Sequence, residues 1–244
     1  MRDRPITPIV EEVTPWMRAT AAVIRAGLAG MTRVSVTGHV EEIPRDGPVI
    51  IAANHASNLD PVVIAAYLLP KLGRRLQWLG KRELFAWPVV GWMARNGGVH
   101  AVDRFAADVE AYRLAKRILD EGHALFVFPE GTRSHDGTLQ KARDGASVLA
   151  LRTGAPIVPV GIAGASERWP RGQKVPRPGG RVTVRVGLPF RLADELPAGL
   201  ERKAATPAAT ELIMRRIAAL LPPAQRGRYG DEPATVQGTA SPGP

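Results

Sequence analysis

The sequence contains no cysteine among its 244 residues. This absence excludes disulfide bonds, thiolate nucleophiles and cysteine ligands to metals, and it suits a reducing compartment. Long apolar runs are missing as well, since no stretch approaches the roughly eighteen consecutive apolar residues that a membrane-spanning helix requires. We therefore expect a protein that is soluble or peripherally attached to a membrane.

The motifs of several common enzyme classes are also absent. No serine lies in a G-x-S-x-G pattern, and neither a G-x-x-x-x-G-K loop nor a G-x-G-x-x-G turn occurs. These absences argue against a serine hydrolase elbow and against the usual nucleotide-binding loops. No metal site is predicted, because the histidines outside the turn discussed below lack the spacing of metal ligands: His39, His100, His123 and His135.

The composition indicates one globular domain with a basic surface. Hydrophobic residues make up 45% of the chain and charged residues 23%, which is typical of a folded protein. Lysine and arginine total 33 against 23 acidic residues, and this net charge of +10 favours anionic partners such as phosphorylated substrates, acidic membranes or nucleic acid. We place the domain at 34–221, after an N-terminal segment at 1–33 and before a tail at 222–244 whose Pro/Gly-rich composition predicts disorder.

Apolar runs of strand length alternate with helical patterns, which predicts an α/β fold with a mostly parallel β-sheet flanked by helices. The predicted strands cover 34–40, 49–53, 76–79, 99–102, 124–128, 156–162 and 182–186. The predicted helices cover 16–31, 61–69, 106–121, 145–152 and 206–221. The first of these helices is amphipathic, and the first strand is the candidate for an antiparallel edge strand.

The most informative stretch is the polar turn Asn54-His55-Ala56-Ser57-Asn58-Leu59-Asp60, which lies between an apolar strand and a helix. A carboxylate that holds one imidazole nitrogen leaves the other nitrogen free to take a proton from a hydroxyl. His55 and Asp60 are therefore a candidate general base. A structural interpretation stays open beside it, in which Asp60 before Pro61 is a helix N-cap and His55 is a buried histidine bonded to the backbone.

Two further polar turns follow apolar strands, at Asp103-Arg104 and at 130–133. Because the carboxyl ends of parallel strands meet at one edge of a sheet, all three turns are expected to converge in one crevice. Arginine grips a phosphate through two parallel hydrogen bonds, so a base beside two arginines predicts transfer onto a hydroxyl of a phosphorylated small molecule. The alternatives are that Glu130 and Arg133 pair across their turn, and that Asp103 caps the following helix.

Four blocks of this sequence resemble those of the glycerolipid acyltransferase family, whose type is the 1-acyl-glycerol-3-phosphate (lysophosphatidate) acyltransferase. The blocks lie within roughly residues 34–190 and are Asn54-His55 with Asp60 (N-H-x-x-x-x-D), Gly98-Val99-His100-Ala101-Val102-Asp103-Arg104 (G-x-x-F-I-D-R), Phe128-Pro129-Glu130-Gly131-Thr132-Arg133-Ser134 (F-P-E-G-T-R-S) and Ile157-Val158-Pro159-Val160 (V-P-V). The stretch from Lys81 to Phe85 also resembles a lysine-containing segment between the first two blocks. In the second block His100-Ala101 replaces a more apolar pairing, which indicates an altered acceptor pocket.

The resemblance implies a glycerol-3-phosphate acyltransferase-like αβ sandwich and an acyltransferase activity. A fatty acyl group would move from an acyl thioester to the free hydroxyl of 1-acyl-glycerol-3-phosphate, which gives phosphatidic acid. His55 would act as general base on that hydroxyl while Asp60 orients and charge-stabilises the imidazole, and no acyl-enzyme would form. The donor would be an acyl-CoA or an acyl-carrier-protein thioester, used as a co-substrate, and no cofactor is implied.

The same resemblance assigns residues to the acceptor site. The substrate-binding residues would be Lys81, Arg104, Glu130, Gly131, Thr132 and Arg133. The three cationic side chains among them would bind the acceptor phosphate, and Glu130 and Gly131 would shape their loop.

Lipid substrates would require attachment to an anionic membrane surface, which we expect at its inner, cytoplasmic face. The candidate contacts are the helix at 16–31, the segment at 87–93 with two tryptophans, and an arginine- and lysine-rich loop at 165–181. The alternatives are that the helix packs on its own domain and that Trp87 and Trp92 belong to the core. Electrostatic attraction is expected to dominate. Two other functions stay open: an acyltransferase for another lyso-lipid or glycolipid, and a non-catalytic basic module that binds membrane or nucleic acid. The three turns favour an enzyme, so no nucleic acid is expected as a partner.

Overall fold

The computed structural model describes residues 9–102 and 107–230. The strands in these ranges are β1 Arg33–Gly38, β2 Val49–Ala53, β3 Leu76–Lys81, β4 Val99–Val102, β5 Ala124–Val127, β6 Ile157–Ala163 and β7 Arg181–Val186. They form one seven-stranded sheet in the order β1-β7-β6-β2-β5-β3-β4, with helices on both faces. The predicted α/β architecture is confirmed, and each predicted strand is present within two residues of its predicted ends.

The five predicted helices are present, two of them altered, together with additional helices that were not predicted. The α-helical segments are α1 Pro15–Ala29, α2 Leu59–Val63, α3 Leu69–Leu72, α4 Pro88–Asn96, α5 Ala107–Asp120, α6 Gly145–Thr153, α7 Ala165–Arg168, α8 Leu192–Glu195 and α9 Arg202–Ala219. The additional helices are α4, α7 and α8. α2 and α3 are joined by a π-helical turn, so the helix predicted at 61–69 is divided. α9 begins before its predicted start because two backbone N–H groups, of Ala204 and Ala205, already bond to the carbonyl of Glu201. Pro207 then lies inside the helix.

The sheet is parallel in its centre and reversed at one side. β6, β2, β5, β3 and β4 pair in parallel, whereas β7 pairs antiparallel with β6. β1 is the predicted antiparallel edge strand. It lies at the edge of the sheet and runs antiparallel to the five strands β6, β2, β5, β3 and β4. Its own pairing with β7, however, is parallel. The reversal arises because the chain after β6 stays at the carboxyl end of that strand, so β7 must run back from there.

The core consists of one apolar cluster on each face of the sheet. The first cluster packs α1, α2 and the π-helical turn against the sheet, and the second packs α5, α6 and α9 against the opposite face. β2 contributes to both, since Ile51 belongs to the first cluster and Ile50 to the second. A strand covered on both faces reads as a continuous apolar run, as the sequence 49–53 does. Met17 and Leu28 of α1 also lie in the first cluster, so the N-terminal helix packs on the domain.

The chain after α9 continues along the domain instead of leaving it at Pro222. Two 3₁₀ turns follow, Pro223–Gln225 and Gly227–Tyr229. The side chain of Tyr229 is buried in the second cluster, and the carbonyl of Gln225 accepts a hydrogen bond from the backbone N–H of Leu139 at 3.0 Å. These contacts stabilise residues that the Pro/Gly-rich composition assigned to a disordered tail, whose remainder from 231 lies outside the described residues.

Candidate active site

The turn after β2 holds a histidine and a carboxylate in direct contact. Nδ1 of His55 lies 2.9 Å from Oδ2 of Asp60, whose side chain is completely buried. The same carboxylate oxygen accepts hydrogen bonds of 2.7 Å from the backbone N–H groups of Ala56 and Ser57. With the carboxylate fixed by two donors, Nδ1 carries the imidazole proton and Nε2 presents its lone pair. A histidine in this state can remove a proton from a hydroxyl.

The contacts of Asp60 also test the structural interpretation of the turn. α2 begins at Leu59 with Asn58 as its N-cap residue, so Asp60 lies in the first helical turn and is not the cap. Its carboxylate points back to the imidazole and to the backbone that precedes the helix. The structural alternative, an N-cap at Asp60, is therefore wrong.

The imidazole is packed on one face by an aromatic ring that directly follows β5, the neighbouring strand in the sheet. The ring of Phe128 stacks on that of His55 with centroids 3.9 Å apart and planes 12° apart. Only 18% of the histidine side chain is exposed. The packing and the carboxylate together restrict the imidazole to one orientation, which a proton-transfer group requires.

Glu130 ties this turn to the loop that follows β5. Its side chain is buried, and Oε1 accepts a hydrogen bond of 2.7 Å from the backbone N–H of His55. Oε2 accepts another of 2.8 Å from the N–H of Gln140. Burial raises the pKa of Glu130 to about 7, against the lowering effect of these two hydrogen bonds and with a further rise from the nearby Asp60. Glu130 therefore does not pair with Arg133, which had been the structural alternative for this turn. It positions the backbone of residues 54–60, the candidate catalytic turn.

Arg133 reaches the catalytic turn directly. Its Nη1 donates a hydrogen bond to Oδ1 of Asn58, and the backbone N–H of Ser134 donates one of 2.7 Å to the carbonyl of His55. Both His55 and Arg133 line the same cavity. The structure thus places a guanidinium beside the candidate base. Asn58 was not singled out from the sequence, because nothing in the chain locally marks it as the partner of a residue in another loop.

Of the other predicted site residues, Gly131, Thr132 and Lys81 lie at the same edge of the sheet. Gly131 has φ +68°, and a Cβ there would lie 3.0 Å from Nε of Arg143, so both its backbone conformation and its space favour glycine. Thr132 is exposed in the same turn. Lys81 is exposed at the carboxyl end of β3. Arg104 lies outside the described residues.

An apolar cavity of about 580 Å³ lies next to His55. Three of its polar lining residues, His55, Asn58 and Arg133, belong to two loops that are joined by a hydrogen bond, and the fourth is Thr20. The apolar lining comes mainly from α1, α2, α4 and the strands β3 and β4: Trp16, Met17, Ala21, Ile24, Pro61, Val62, Ala65, Leu69, Trp78, Leu84, Val90, Met93, Ala94, Gly97 and Val99. This shape can hold a long apolar chain with its polar head at the imidazole.

The outer surface of α4 is also apolar. Trp87 is 68% exposed, Val89 71% and Trp92 51%. The ring of Trp92 lies 5.1 Å from that of Trp16 in α1, so the two helices share this surface. Of the two roles that the sequence left open for Trp87 and Trp92, burial in the core is wrong. No helix within 9–102 and 107–230 is long and apolar enough to cross a membrane.

Comparisons with known proteins show that the chain is similar to acyltransferases. The chain matches the protein family described as Acyltransferase over residues 33–163. It is 31% identical, over 161 residues, to a chloroplastic 1-acyl-sn-glycerol-3-phosphate acyltransferase of Arabidopsis thaliana, in an alignment that covers 65% of this chain and 44% of the relative. It is 33% identical, over 160 residues, to a lyso-ornithine lipid O-acyltransferase of Pseudomonas aeruginosa, with 65% of this chain and 56% of the relative covered.

The fold is similar to that of a solved relative. The crystal structure of the 1-acyl-sn-glycerophosphate acyltransferase PlsC from Thermotoga maritima superposes with a TM-score of 0.66 at 27% sequence identity. The superposition covers 84% of this chain and 79% of that one. By contrast, the chain spans only about half the length of the curated relatives named above.

Proposed function

The chain belongs to the acyltransferase family, and from that premise we propose that it transfers a fatty acyl group from a thioester to the free hydroxyl of 1-acyl-glycerol-3-phosphate. The observation that carries this proposal is the His55–Asp60 pair, whose imidazole lines an apolar cavity. A base alone would serve many reactions. A base that lines an apolar cavity together with an arginine suits acyl transfer to a phosphorylated lipid.

The proposed reaction is a direct transfer with His55 as general base. Nε2 removes the proton of the acceptor hydroxyl as its oxygen attacks the thioester carbonyl carbon. The carbon–sulfur bond then breaks, and the imidazolium returns the proton to the departing thiolate. Asp60 stabilises the imidazolium that forms between these steps, because its carboxylate is held against Nδ1. The thioester is the co-substrate, and no covalent intermediate on the chain is needed.

The acceptor phosphate is assigned to the cationic side chains at this edge. Arg133 is the best placed of them, since it is bonded to the catalytic turn and lines the same cavity as His55. Lys81, at the carboxyl end of β3, and Arg104, through its place in the second sequence block, complete the proposed set. Guanidinium groups suit this role because they bind phosphate oxygens through two parallel hydrogen bonds.

The acyl chain is assigned to the cavity. Its lining is almost entirely apolar, and each methylene moved there from water would contribute about 0.8 kcal/mol to binding. An acyl chain bound there would bring its carbonyl carbon near His55, which lines the same cavity. We therefore expect chain length to be selected by the depth of the cavity between α1 and α4.

Attachment to the cytoplasmic face of an anionic membrane is proposed through the surface shared by α1 and α4. The exposed side chains of Trp87, Val89 and Trp92 supply an apolar contact, and the exposed Arg18 and Arg95 lie on the same two helices. These helices also line the cavity, so a lipid chain at the membrane surface has a short path to His55.

The test is thiol release from a long-chain acyl-CoA in the presence of 1-acyl-glycerol-3-phosphate, with the lipid product identified by mass spectrometry. Release that requires the acceptor and yields phosphatidic acid supports the proposal. A second acceptor class is favoured by the resemblance to a lyso-ornithine lipid O-acyltransferase. Faster transfer to an ornithine-containing lyso-lipid in the same assay would assign the chain to that class, and no transfer to any acceptor would reject the enzyme.

A further inference from the structure

A second feature of the site is the segment that connects α7 to β7. We call this segment, residues 169–180, the basic loop. It is folded on itself by two hydrogen bonds, from Nε1 of Trp169 to the carbonyl of Gln173 at 2.9 Å and from the N–H of Arg177 to the carbonyl of Arg168 at 2.7 Å. The cationic side chains of the loop are therefore held on a closed turn. The sequence had made this loop a candidate for membrane contact.

Hydrogen bonds connect the basic loop to the catalytic turn. The carbonyl of Trp169 accepts hydrogen bonds from the Ser57 hydroxyl at 2.7 Å and from the backbone N–H of Asn58 at 3.4 Å. Ser57 is completely buried and pairs through a β-bridge with Pro170. The loop therefore contacts Ser57, which lies two residues after the candidate base His55 in the chain.

The basic loop is also bonded to the loop that carries Arg133. Nη1 of Arg171 donates a hydrogen bond of 2.8 Å to the carbonyl of Arg133 and lies 2.9 Å from Nε2 of His135. Arg171 thus braces the residue assigned to the acceptor phosphate. The basic loop contacts both halves of the site without contributing its own side chains to the apolar cavity, as far as the described residues show.

The order of the strands places the basic loop and the cavity on different sides of His55. β2, which carries the catalytic turn, lies between β6 and β5. The basic loop follows β6 through α7, whereas the cavity is lined by Trp78 of β3 and Val99 of β4, which lie beyond β5. Consider a thioester with its carbonyl at His55 and its acyl chain in the cavity. The part of the molecule beyond the sulfur must then lie on another side of His55, and the basic loop borders that side.

The charges of the basic loop have no counterpart in the described part of the chain. The side chains of Lys174 and Arg177 are exposed and make no hydrogen bond or ion pair with any described residue. The nearest acidic residue in sequence, Glu167, contacts Arg168 at 3.5 Å. Several like charges held on one closed turn raise the local positive potential, which favours a ligand with more than one negative charge.

On the basis of the proposed function, we propose that the basic loop binds the phosphate groups of coenzyme A in the acyl thioester donor. Coenzyme A carries its phosphates at a distance from the sulfur, on the far side of the pantetheine arm. The acceptor phosphate is already assigned to Arg133, Lys81 and Arg104. The basic loop then supplies Lys174 and Arg177 as contacts for the donor, with Arg171 bracing the junction between the two sites.

The test compares two thioester donors in the charge-reversed variant Lys174→Glu/Arg177→Glu. With a detergent-dispersed acceptor, we expect the KM for acyl-CoA to rise on the order of tenfold or more. The KM for the same acyl group on pantetheine, which carries no phosphate, and the KM for the acceptor should not change. The matched control is Lys71→Glu/Lys203→Glu, which makes the same charge change at two exposed lysines in α3 and α9 and should leave all three constants unchanged.

Three results would overturn the assignment: an unchanged KM for acyl-CoA, an equal rise for acyl-pantetheine, or a rise confined to the acceptor. Loss of binding to acidic vesicles with an unchanged KM for acyl-CoA would assign the loop to the membrane instead. Titration calorimetry of free coenzyme A with the wild type and both double variants needs no turnover. Loss of coenzyme A binding in the loop variant alone would therefore support the loop assignment, even if the wild type transferred no acyl group. Absence of transfer by the wild type would separately reject the proposed function.

Discussion

The backbone N–H of His55 donates a hydrogen bond of 2.7 Å to Oε1 of Glu130, 75 residues further along the chain. Because Oε2 of the same carboxyl accepts the N–H of Gln140, one buried side chain joins the catalytic turn to the loop that carries Arg133. Burial raises the pKa of this carboxyl to about 7. The group that fixes the site therefore changes its charge close to neutral pH.

The first prediction concerns stability and pH. The pKa of Glu130 is about 7 in the folded protein against an ordinary value of 4.5, so between these values the folded state binds an extra proton. The free energy of unfolding contributed by Glu130 therefore falls as the pH rises through this window. Glu130→Gln has no carboxyl to titrate, so this fall in the free energy of unfolding should be absent from the variant. As the pH rises through the window, the variant should therefore gain about 3 kcal/mol of stability relative to the wild type.

The measurement is urea unfolding of both proteins at about pH 5 and about pH 8. The variant is expected to lose stability overall. Both carboxyl oxygens accept a backbone N–H in the wild type, and the NH₂ group of the amide would face one of these N–H groups as a second donor. The prediction concerns only the difference between the two pH values. If wild type and variant changed in parallel, the raised pKa would be wrong.

The second prediction concerns the general base. His55→Ala should reduce turnover on the order of a hundred- to ten-thousand-fold, because no other group in the turn can take the hydroxyl proton. Asp60→Asn should cost less, since an amide oxygen can still accept the bonded N–H groups but cannot stabilise an imidazolium. Turnover is measured by thiol release, and thermal unfolding shows whether each variant is folded. A folded His55→Ala protein with near-normal turnover would end the catalytic assignment.

The third prediction concerns the acceptor phosphate. Arg133→Ala should raise the KM for a phosphorylated acceptor and leave the KM for the donor largely unchanged. Arg133→Lys should restore only part of the loss, because an ammonium cannot reproduce the two parallel hydrogen bonds of a guanidinium. The control Asn58→Ala removes the hydrogen-bond partner of Arg133 but keeps its charge, so its effect should be smaller. Equal use of an acceptor without phosphate by the wild type would contradict the assignment.

The fourth prediction concerns the acyl chain. Ala94 is 6% exposed and lines the cavity, whereas Val89 on the same helix is 71% exposed. Ala94→Phe should shift the preference for kcat/KM from long-chain to medium-chain thioesters, because the ring occupies space that the last methylenes would fill. Val89→Phe adds bulk to the outer face of α4 and should leave the preference unchanged. The same chain-length profile in both variants would mean that the acyl chain binds elsewhere.

The fifth prediction concerns the membrane. Trp87→Ala/Val89→Ser should weaken sedimentation with acidic vesicles, because both side chains are largely exposed on the surface shared by α1 and α4. Val175→Ser is the matched control, since Val175 in the basic loop is exposed to 72%. The control should bind vesicles as the wild type does. A larger loss in the control than in the double variant would move the membrane contact to the basic loop.

The sequence was sufficient for features that depend on neighbouring residues. The His55–Asp60 pair was predictable because five positions within one turn confine the two side chains to the same place. The strands and most helices were predictable for the same reason, since their apolar periodicity is local and a buried central strand such as β2 leaves a continuous apolar run.

Only the tertiary structure decided which distant residues meet. The bond from Arg133 to Asn58, the role of Glu130 beneath His55 and the cavity between α1 and α4 each join segments that are far apart in the chain. Tyr229 is buried, although composition predicted disorder for its segment. Trp87 is exposed, a point that the sequence left open. Burial depends on what packs against a side chain, and packing follows from the order and direction of the strands, which a local pattern does not specify.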